Sequence, residues 1–246
     1  MSNNILFIVE GDSDEILLKG VLSTIMDTEV SFEVTEGDIT TNKRYDEYRG
    51  SELILKYFED RGKSIKLYDY SLIVMITDTD GCYIPDDAIY YSSELNETQY
   101  YGDCIKCKPG SDLKARNKLK REQFDSLLHQ CDTVGGVLFE IYYNSTNLDH
   151  VYHDKRNLPW RKKKKLAKDF FKSCNGVDYL KFISDNKLCV SHDYIKTWEY
   201  LNYRFNSLYR RSNFYLFFIK HPEFLKDSLH KANNINRDST VKMNLI

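Results

Sequence analysis

Two clusters of acidic residues, each directly behind a short apolar run, are the part of this sequence best suited to chemistry. Ile5-Leu6-Phe7-Ile8-Val9 leads into Glu10-Gly11-Asp12-Ser13-Asp14-Glu15, and Leu72-Ile73-Val74-Met75-Ile76 leads into Thr77-Asp78-Thr79-Asp80-Gly81. Carboxylates brought together from two places repel one another unless a cation lies between them, and a divalent ion with oxygen ligands is the usual partner. Glu10, Asp14, Asp78 and Asp80 are therefore candidate metal ligands. An ion held this way lowers the pKa of a bound water and neutralises charge on a phosphoryl group. Glu10 is alternatively a general acid or base. Asp12 and Glu15 are accounted for as a capping box, and Asp14 is equally readable as a first-turn acid favoured by the helix dipole. Two aspartates flanking Thr79 at a strand end are harder to explain structurally, because Asp is poorly suited to strands.

The elements that must position these groups follow from periodicity. Apolar runs without alternation are the mark of parallel strands covered on both faces, and in such sheets function gathers at the carboxyl ends. A helix is expected from Asp12, with Ile16, Leu17, Gly20, Val21 and Ile25 at helical spacing. Val30 to Val34 alternates as a strand, and Ser51 to Asp60 reads as a helix with Leu53, Ile54, Tyr57 and Phe58 inward. The order is β-α-β-α-β, an α/β class with right-handed crossovers. Tyr83 to Pro109 is less regular, Leu113 to His129 reads as a charged helix, and Val137 to Tyr143 reads as a further strand that ends the sheet. From about residue 155 the sequence is helical, with Trp160–Lys172, Val177–Ser184, Asp193–Leu208 and Pro222–His230 as candidates and a loose tail after Ala232. The expected division is a catalytic unit over 1–154 and a basic, mainly helical addition over 155–246, with no Gly/Pro/Ser linker between them.

The formal net charge of −2 hides a polarity: residues 1–103 carry 22 acids and 8 bases, residues 104–246 carry 15 acids and 27 bases. An acidic half suits cation binding and a basic half suits a polyanion, although the two halves also attract each other. Lys106–Arg121 and Lys155–Lys172 are the basic segments, and Lys118, Arg121, Arg161, Lys162, Lys163, Lys164 and Lys165 are the candidate nucleic-acid contacts. On a helix, Lys162 to Lys165 cannot all face one way. Tyr194, Trp198, Leu201, Phe205 and Leu208 recur at core spacing, while Tyr200, Tyr203 and Tyr209 beside Arg204, Arg210 and Arg211 are candidates for base stacking. The six cysteines read as reduced thiols. Cys104-x-x-Cys107 with His129 and Cys131 does not match the usual zinc spacings. No secretory signal or spanning stretch is evident, so the expected compartment is the cytoplasm, with no membrane partner.

The two acidic motifs carry a family resemblance. Ile8-Val9-Glu10-Gly11 with Asp14, followed on a later strand by Asp78-Thr79-Asp80, resembles the TOPRIM domain of topoisomerases, primases and OLD-family nucleases over roughly the first 150 residues. The resemblance implies a Rossmann-like parallel sheet flanked by helices, with a glutamate and an Asp-x-Asp pair holding one or two Mg²⁺ ions, replaceable by Mn²⁺, for cleavage of DNA or RNA, including tRNA. Within the OLD-like branch, Asn147-Leu148-Asp149 resembles the segment that supplies a third acidic position, which would make Asp149 a ligand. No Walker loop is present, so the chain is most similar to stand-alone TOPRIM effectors of abortive-infection and PARIS-type antiphage systems, which work with a separate ABC/OLD-type ATPase. A homodimer is compatible with the sequence, which fixes no oligomeric state.

Two other readings stay open. Leu72 through Gly81 also resembles the first motif of haloacid-dehalogenase-type phosphatases, in which Asp78 would be a phosphoryl-accepting nucleophile; that leaves Val9-Glu10-Gly11 unexplained. A third reading is a non-catalytic nucleic-acid-binding module with a degenerate metal site.

Overall fold

Strand β1 (Ile5–Val9) is buried along its whole length, and strand β3 (Leu72–Asp78) is buried as far as Thr77, because a layer of helices covers each face of the sheet they share. A computed structural model describes residues 4–62 and 65–229. The anticipated tail after Ala232 lies outside the described residues.

The main sheet has five strands in the order β2-β1-β3-β8-β7, where β2 is Val30–Val34, β7 is Thr133–Val134 and β8 is Val137–Asn144. The β1–β2, β1–β3 and β3–β8 pairs are parallel, and only the short β7 is antiparallel. Helix α1 (Asp12–Ile25) carries the chain from β1 to β2; helix α2 (Ser51–Asp60) returns it past β1 to β3 on the other side. The chain thus leaves the β1/β3 boundary in opposite directions, which opens a crevice beyond their carboxyl ends.

Side-chain alternation sorts the strands between two cores. Ile5, Phe7, Val9, Val74 and Ile76 pack with Leu17, Leu18, Val21 and Leu22 of α1. Leu6, Ile8, Ile73 and Met75 pack with Leu53, Ile54, Tyr57 and Phe58 of α2, together with Phe124 and Leu127 of helix α3 (Leu113–His129). A third, smaller core lies under a sheet of order β4-β6-β5, built from β4 (Ile89–Tyr91), β5 (Gln99–Tyr100) and β6 (Ile105–Cys107). This sheet falls in the stretch read as irregular, since strands of two or three residues are too short to show a period.

Helix α4 (Leu148–His153) follows β8, and α5 (Trp160–Ser173) and α6 (Gly176–Ile183) share the α1 core through Ala167, Tyr179 and Leu180. The expected helix Asp193–Leu208 is shorter: α7 spans Tyr194–Leu201, Arg204 takes a left-handed φ of 48°, and a 3-10 turn covers Asn206–Leu208. The expected helix from Pro222 is broken up: a 3-10 turn covers Pro222–Phe224, Leu225 forms a bridge to Met26, and the described backbone is helical over 227–229. Its backbone instead serves the end of α1: Asp27 N donates to Phe224 O, and Lys226 N donates to Ile25 O. Helix α8 (Tyr215–Lys220) was hidden in Phe214-Tyr215-Leu216-Phe217-Phe218, which is buried on all sides and therefore has no polar face to betray a helical period. Among the described residues, no helix is long and apolar enough to cross a membrane.

Gly20 sets the distance between α1 and α5. A Cβ there would lie 2.4 Å from Phe171 Cγ and 2.9 Å from Phe171 Cβ, atoms near the root of that side chain. Alanine at an interior helical position ordinarily gains about 1 kcal/mol over glycine. Gly20→Ala is nevertheless expected to lower stability, by roughly 1–3 kcal/mol from overpacking, measured by chemical denaturation; a variant at least as stable as the wild type would mean that α5 is not held so closely.

Candidate functional site

The carboxyl ends of β1 and β3 meet because the strands pair in parallel, Ile8 opposite Met75. Glu10 lies just beyond this register and is fastened across it: Thr77 Oγ1 donates to Glu10 Oε1 at 2.8 Å and Asp78 N donates to the same oxygen at 2.9 Å. Asp14 sits in the first turn of α1, where Gly11 N donates to its Oδ2 at 3.1 Å and Ser13 Oγ to its Oδ1 at 3.3 Å. The start of the helix is thus capped by Gly11 and Asp14, in place of the anticipated Asp12–Glu15 box. The reason is a shift of one residue: Gly11 is the N-cap, so the third helical position is Asp14. Asp12 instead pairs with Lys164 at 2.6 Å and Glu15 with Lys19 at 3.4 Å.

Asp78 closes β3 opposite Asn144 of β8. Its Oδ1 accepts from Leu148 N at 2.9 Å and from Asn144 Nδ2 at 3.5 Å, while Asn144 Oδ1 is buried without a partner among the described residues. The loops after the two strands are laced together, Thr79 N donating to Asn144 O, Asp80 N to Thr146 O and Thr146 N to Thr79 Oγ1. Asp80 and Gly81 both adopt left-handed backbone, φ 49° and 63°. Aspartate tolerates that region better than most residues.

Asp80 is turned away from the other acids and onto cations. Lys120 Nζ lies 2.7 Å from Asp80 Oδ2, Arg116 Nη1 lies 3.7 Å from it, and Tyr100 OH donates to Oδ1 at 3.2 Å. The same Lys120 nitrogen is 2.9 Å from Asp38 Oδ2, and its side chain is 0% exposed. Asp38 follows β2 and is steadied by Thr40 and Thr41. Asp149 is buried at the start of α4 and paired with Lys163 Nζ of α5 at 2.7 Å.

Glu10, Asp14 and Asp78, by contrast, form no ion pair among the described residues, although all three are half-buried. Electrostatics records the difference. Burial, with Asp38 and Asp80 adding to it against the pull of Lys120, raises the Glu10 carboxyl to about 8. Burial and the Asp149 charge raise Asp14 to about 6. Asp78 is pushed well above the usual range by burial and by the charges of Glu10, Asp14 and Asp80. For Asp80 burial acts in the same direction, but Lys120 and Arg116 outweigh it and hold the group below its ordinary value. Lys120 is raised despite burial by Asp38, Asp80 and Glu10.

The site therefore has two parts: a neutralised one, Asp38–Lys120–Asp80–Arg116, and an uncompensated one, Glu10–Asp14–Asp78. As the side chains stand, no group of three or more His, Cys, Asp or Glu among the described residues is arranged to hold a metal ion. Glu10 and Asp78 each spend one oxygen on hydrogen bonds, leaving Glu10 Oε2 and Asp78 Oδ2 without one among the described residues, while both Asp14 oxygens accept from Gly11 N and Ser13 Oγ. Carboxylate and amide oxygens such as these and Asn144 Oδ1 are of the ligand type that a magnesium ion takes.

The candidate nucleic-acid contacts divide similarly. Lys163 turns inward to Asp149, Lys164 pairs with Asp12, Lys165 pairs with Asp169 at 2.5 Å, and Arg121 Nη1 donates to Cys82 O at 2.5 Å. Lys118 lies 3.9 Å from Glu122 and is exposed, as are Arg161 and Lys162. Arg210 and Arg211 donate to Val151 O and Asn186 O, whereas Tyr203 and Tyr209 are exposed. Trp198, Leu201 and Leu208 are core. Cys107 and Cys131 belong to different cores.

Sequence reasoning missed Asp38, Lys120 and Asn144. A signal existed for Lys120, which shares the inward stripe of α3 with Leu113, Asn117, Phe124 and Leu127. A basic side chain at a core-facing position of a helix needs a buried acid. Comparison with protein-family models, with curated proteins and with solved structures finds no match.

The raised Glu10 carboxyl has a consequence for stability in chelator. Between its ordinary value of 4.5 and about 8 the folded chain holds a proton that the unfolded chain has released, so stability falls as pH rises through that window. Glu10→Gln keeps the acceptor for Thr77 and Asp78 but cannot ionise. At pH 9 it is expected to melt several degrees above wild type, at about 2–4 °C per kcal/mol for a chain of this size, and to match it near pH 4; a difference independent of pH would refute the assignment.

Proposed function

We propose that the chain is a metal-dependent nuclease of TOPRIM type, hydrolysing phosphodiester bonds of DNA or RNA, tRNA included, with Mg²⁺ or Mn²⁺ held by Glu10, Asp14 and Asp78. The observation that carries this reading is the uncompensated triad at the carboxyl ends of β1 and β3, where the connections diverge and parallel sheets place their sites. Three half-buried acids that face Lys120 and Lys163 only at longer range and pair with no cation among the described residues are costly to the apo protein, and structural ion-pairing does not account for them.

A bound divalent ion would neutralise the scissile phosphate and lower the pKa of its water. The chain's own groups do the rest. Glu10, fastened through Oε1 by Thr77 Oγ1 and Asp78 N, is held in place to present its other oxygen to the ion. Lys163, fixed by Asp149 and 36% exposed, stands at the rim where a phosphate oxygen would enter. Asp149 serves on this reading as the positioning residue of Lys163, and Asp80 as that of Lys120, not as ligands. Exposed Arg161, Lys162 and Lys118 supply the phosphate-tracking surface. By resemblance alone, the role is that of a toxic antiphage effector in the cytoplasm, restrained by a separate ATPase.

A phosphatase using Asp78 as nucleophile is less well supported, because it leaves Glu10, fastened across the β1/β3 boundary by Thr77 Oγ1 and Asp78 N, without a role. Purified protein incubated with plasmid DNA and with total tRNA is expected to cleave one of them with Mg²⁺ and neither with chelator. Glu10→Gln and Asp78→Asn are expected to lose activity by about 100-fold or more and Lys163→Gln by roughly 10-fold. Cleavage that persists in chelator, or phosphate release from small esters in its place, would overturn the proposal.

A further inference from the structure

The acid cluster already contains one cation of the chain's own. Lys120 Nζ stands 2.7 Å from Asp80 Oδ2 and 2.9 Å from Asp38 Oδ2, and Glu10 is close enough for their charges to interact. Its side chain is wholly buried, with the ammonium 5.7 Å from the centre of the Phe124 ring. Two of its three N–H groups are committed to carboxylates. Asp80 is committed in turn. One oxygen faces Lys120 and Arg116, the other takes the Tyr100 hydroxyl, and its carbonyl oxygen accepts from Arg116 Nη2 at 3.0 Å. A divalent ion ligated by Asp80 would sit about 2 Å from a carboxylate oxygen, next to an ammonium that cannot retreat to solvent.

We infer that Lys120 is a resident cation filling one of two cation positions in this cluster, so that the site takes a single divalent ion, on Glu10, Asp14 and Asp78, while Asp80 anchors the lysine. The inference rests on the metal-dependent reading above and specifies how the acids divide.

Charge balance supports the division. Asp38 and Asp80 are matched by Lys120 and Arg116, and Asp149 is matched by Lys163. Of the acids gathered at this crevice, Glu10, Asp14 and Asp78 have no ion pair among the described residues. An independent observation marks the same half: Asn144, 1% exposed and hydrogen-bonded through Nδ2 to Asp78, leaves its Oδ1 without a partner among the described residues. A buried amide oxygen in that state is either costly or a ligand in waiting. One doubly charged ion there reduces three negative charges to one, whereas a second would add positive charge to a half that Lys120 and Arg116 have already balanced.

Titration of the full chain with Mn²⁺, following the free ion by electron paramagnetic resonance, separates the alternatives. Wild type is expected to take up one Mn²⁺ per chain. Asp78→Asn should abolish measurable binding, as loss of a direct ligand does, whereas Asp80→Asn should still take up one ion with affinity lowered by about 10-fold, since only an outer contact changes. Lys120→Met, if circular dichroism shows it folded, should admit a second Mn²⁺ on the released Asp38 and Asp80; if it does not fold, Asp80→Asn decides. Two ions in the wild type, loss of the ion in Asp80→Asn, or one ion only in a folded Lys120→Met overturns the assignment of Lys120 and leaves the nuclease reading standing. No ion in the wild type removes both.

Discussion

Mutual repulsion among carboxylates held in a half-dry crevice is the interaction around which this structure is arranged. A solvated chain would let Glu10, Asp14 and Asp78 separate. The fold prevents this by hydrogen-bonding each to backbone that cannot move independently: Glu10 to the amide of Asp78, Asp14 to the amide of Gly11, Asp78 to the amide of Leu148. Those amides lie at the end of β3 and at the starts of α1 and α4, which follow β1 and β8 directly, and the strands they follow are fixed by the two cores on the faces of the sheet. Burial of each large apolar side chain contributes about 1.5–3 kcal/mol, and that reserve is what holds like charges together.

The lopsided charge of the sequence has an internal use that its halves conceal. Lys120 with Asp38 and Asp80, Arg116 with Asp80, and Lys164 with Asp12 each join a base from beyond residue 104 to an acid before it. These contacts do more than neutralise. Lys120 and Lys163 are the inward members of α3 and α5, so the crevice is walled by two basic helices whose outward faces still carry Lys118, Arg161 and Lys162. The attraction between halves and the exposure of a cationic surface are therefore two faces of the same helices. Beside the tyrosines considered for base stacking, the guanidinium groups of Arg210 and Arg211 are already engaged, donating to Val151 O and Asn186 O.

What was legible in the sequence is what has a period or a sharp local motif. β1, β2, β3, β8, α1, α2 and α3 were read with their bounds correct to within a residue or two, because apolar runs and helical stripes of that length survive without tertiary knowledge. The mutual approach of the acids after β1 and β3 followed from strand context. The partition of those acids did not, since nothing local to Asp80 says that a lysine forty positions later will be folded onto it. Asp38 was missed for a related reason: Glu36-Gly37-Asp38 follows β2 much as Glu10-Gly11-Asp12 follows β1, but β2 alternates instead of running apolar, and the importance of Asp38 arises only when α3 lies across it. α8 and the small β4-β6-β5 sheet were invisible because complete burial erases one pattern and extreme shortness the other.

The small sheet shows why an irregular stretch can still be necessary. Ile105 of β6 packs so closely on the turn after β3 that a Cβ at Gly81 would come within 3.0 Å of its Cδ1 and within 2.5 Å of Leu208 Cδ2. Tyr100 of β5 delivers its hydroxyl to Asp80. A side chain at position 81 would have to push both the sheet and the 3-10 turn at Asn206–Leu208 away, and the left-handed backbone at Asp80 and Gly81 would then lose the contacts that hold it. Asp80 keeps its orientation toward Lys120 only while that turn is kept. The stretch without a readable period thus fixes which acid faces the lysine, and by that choice determines which acids are left facing one another.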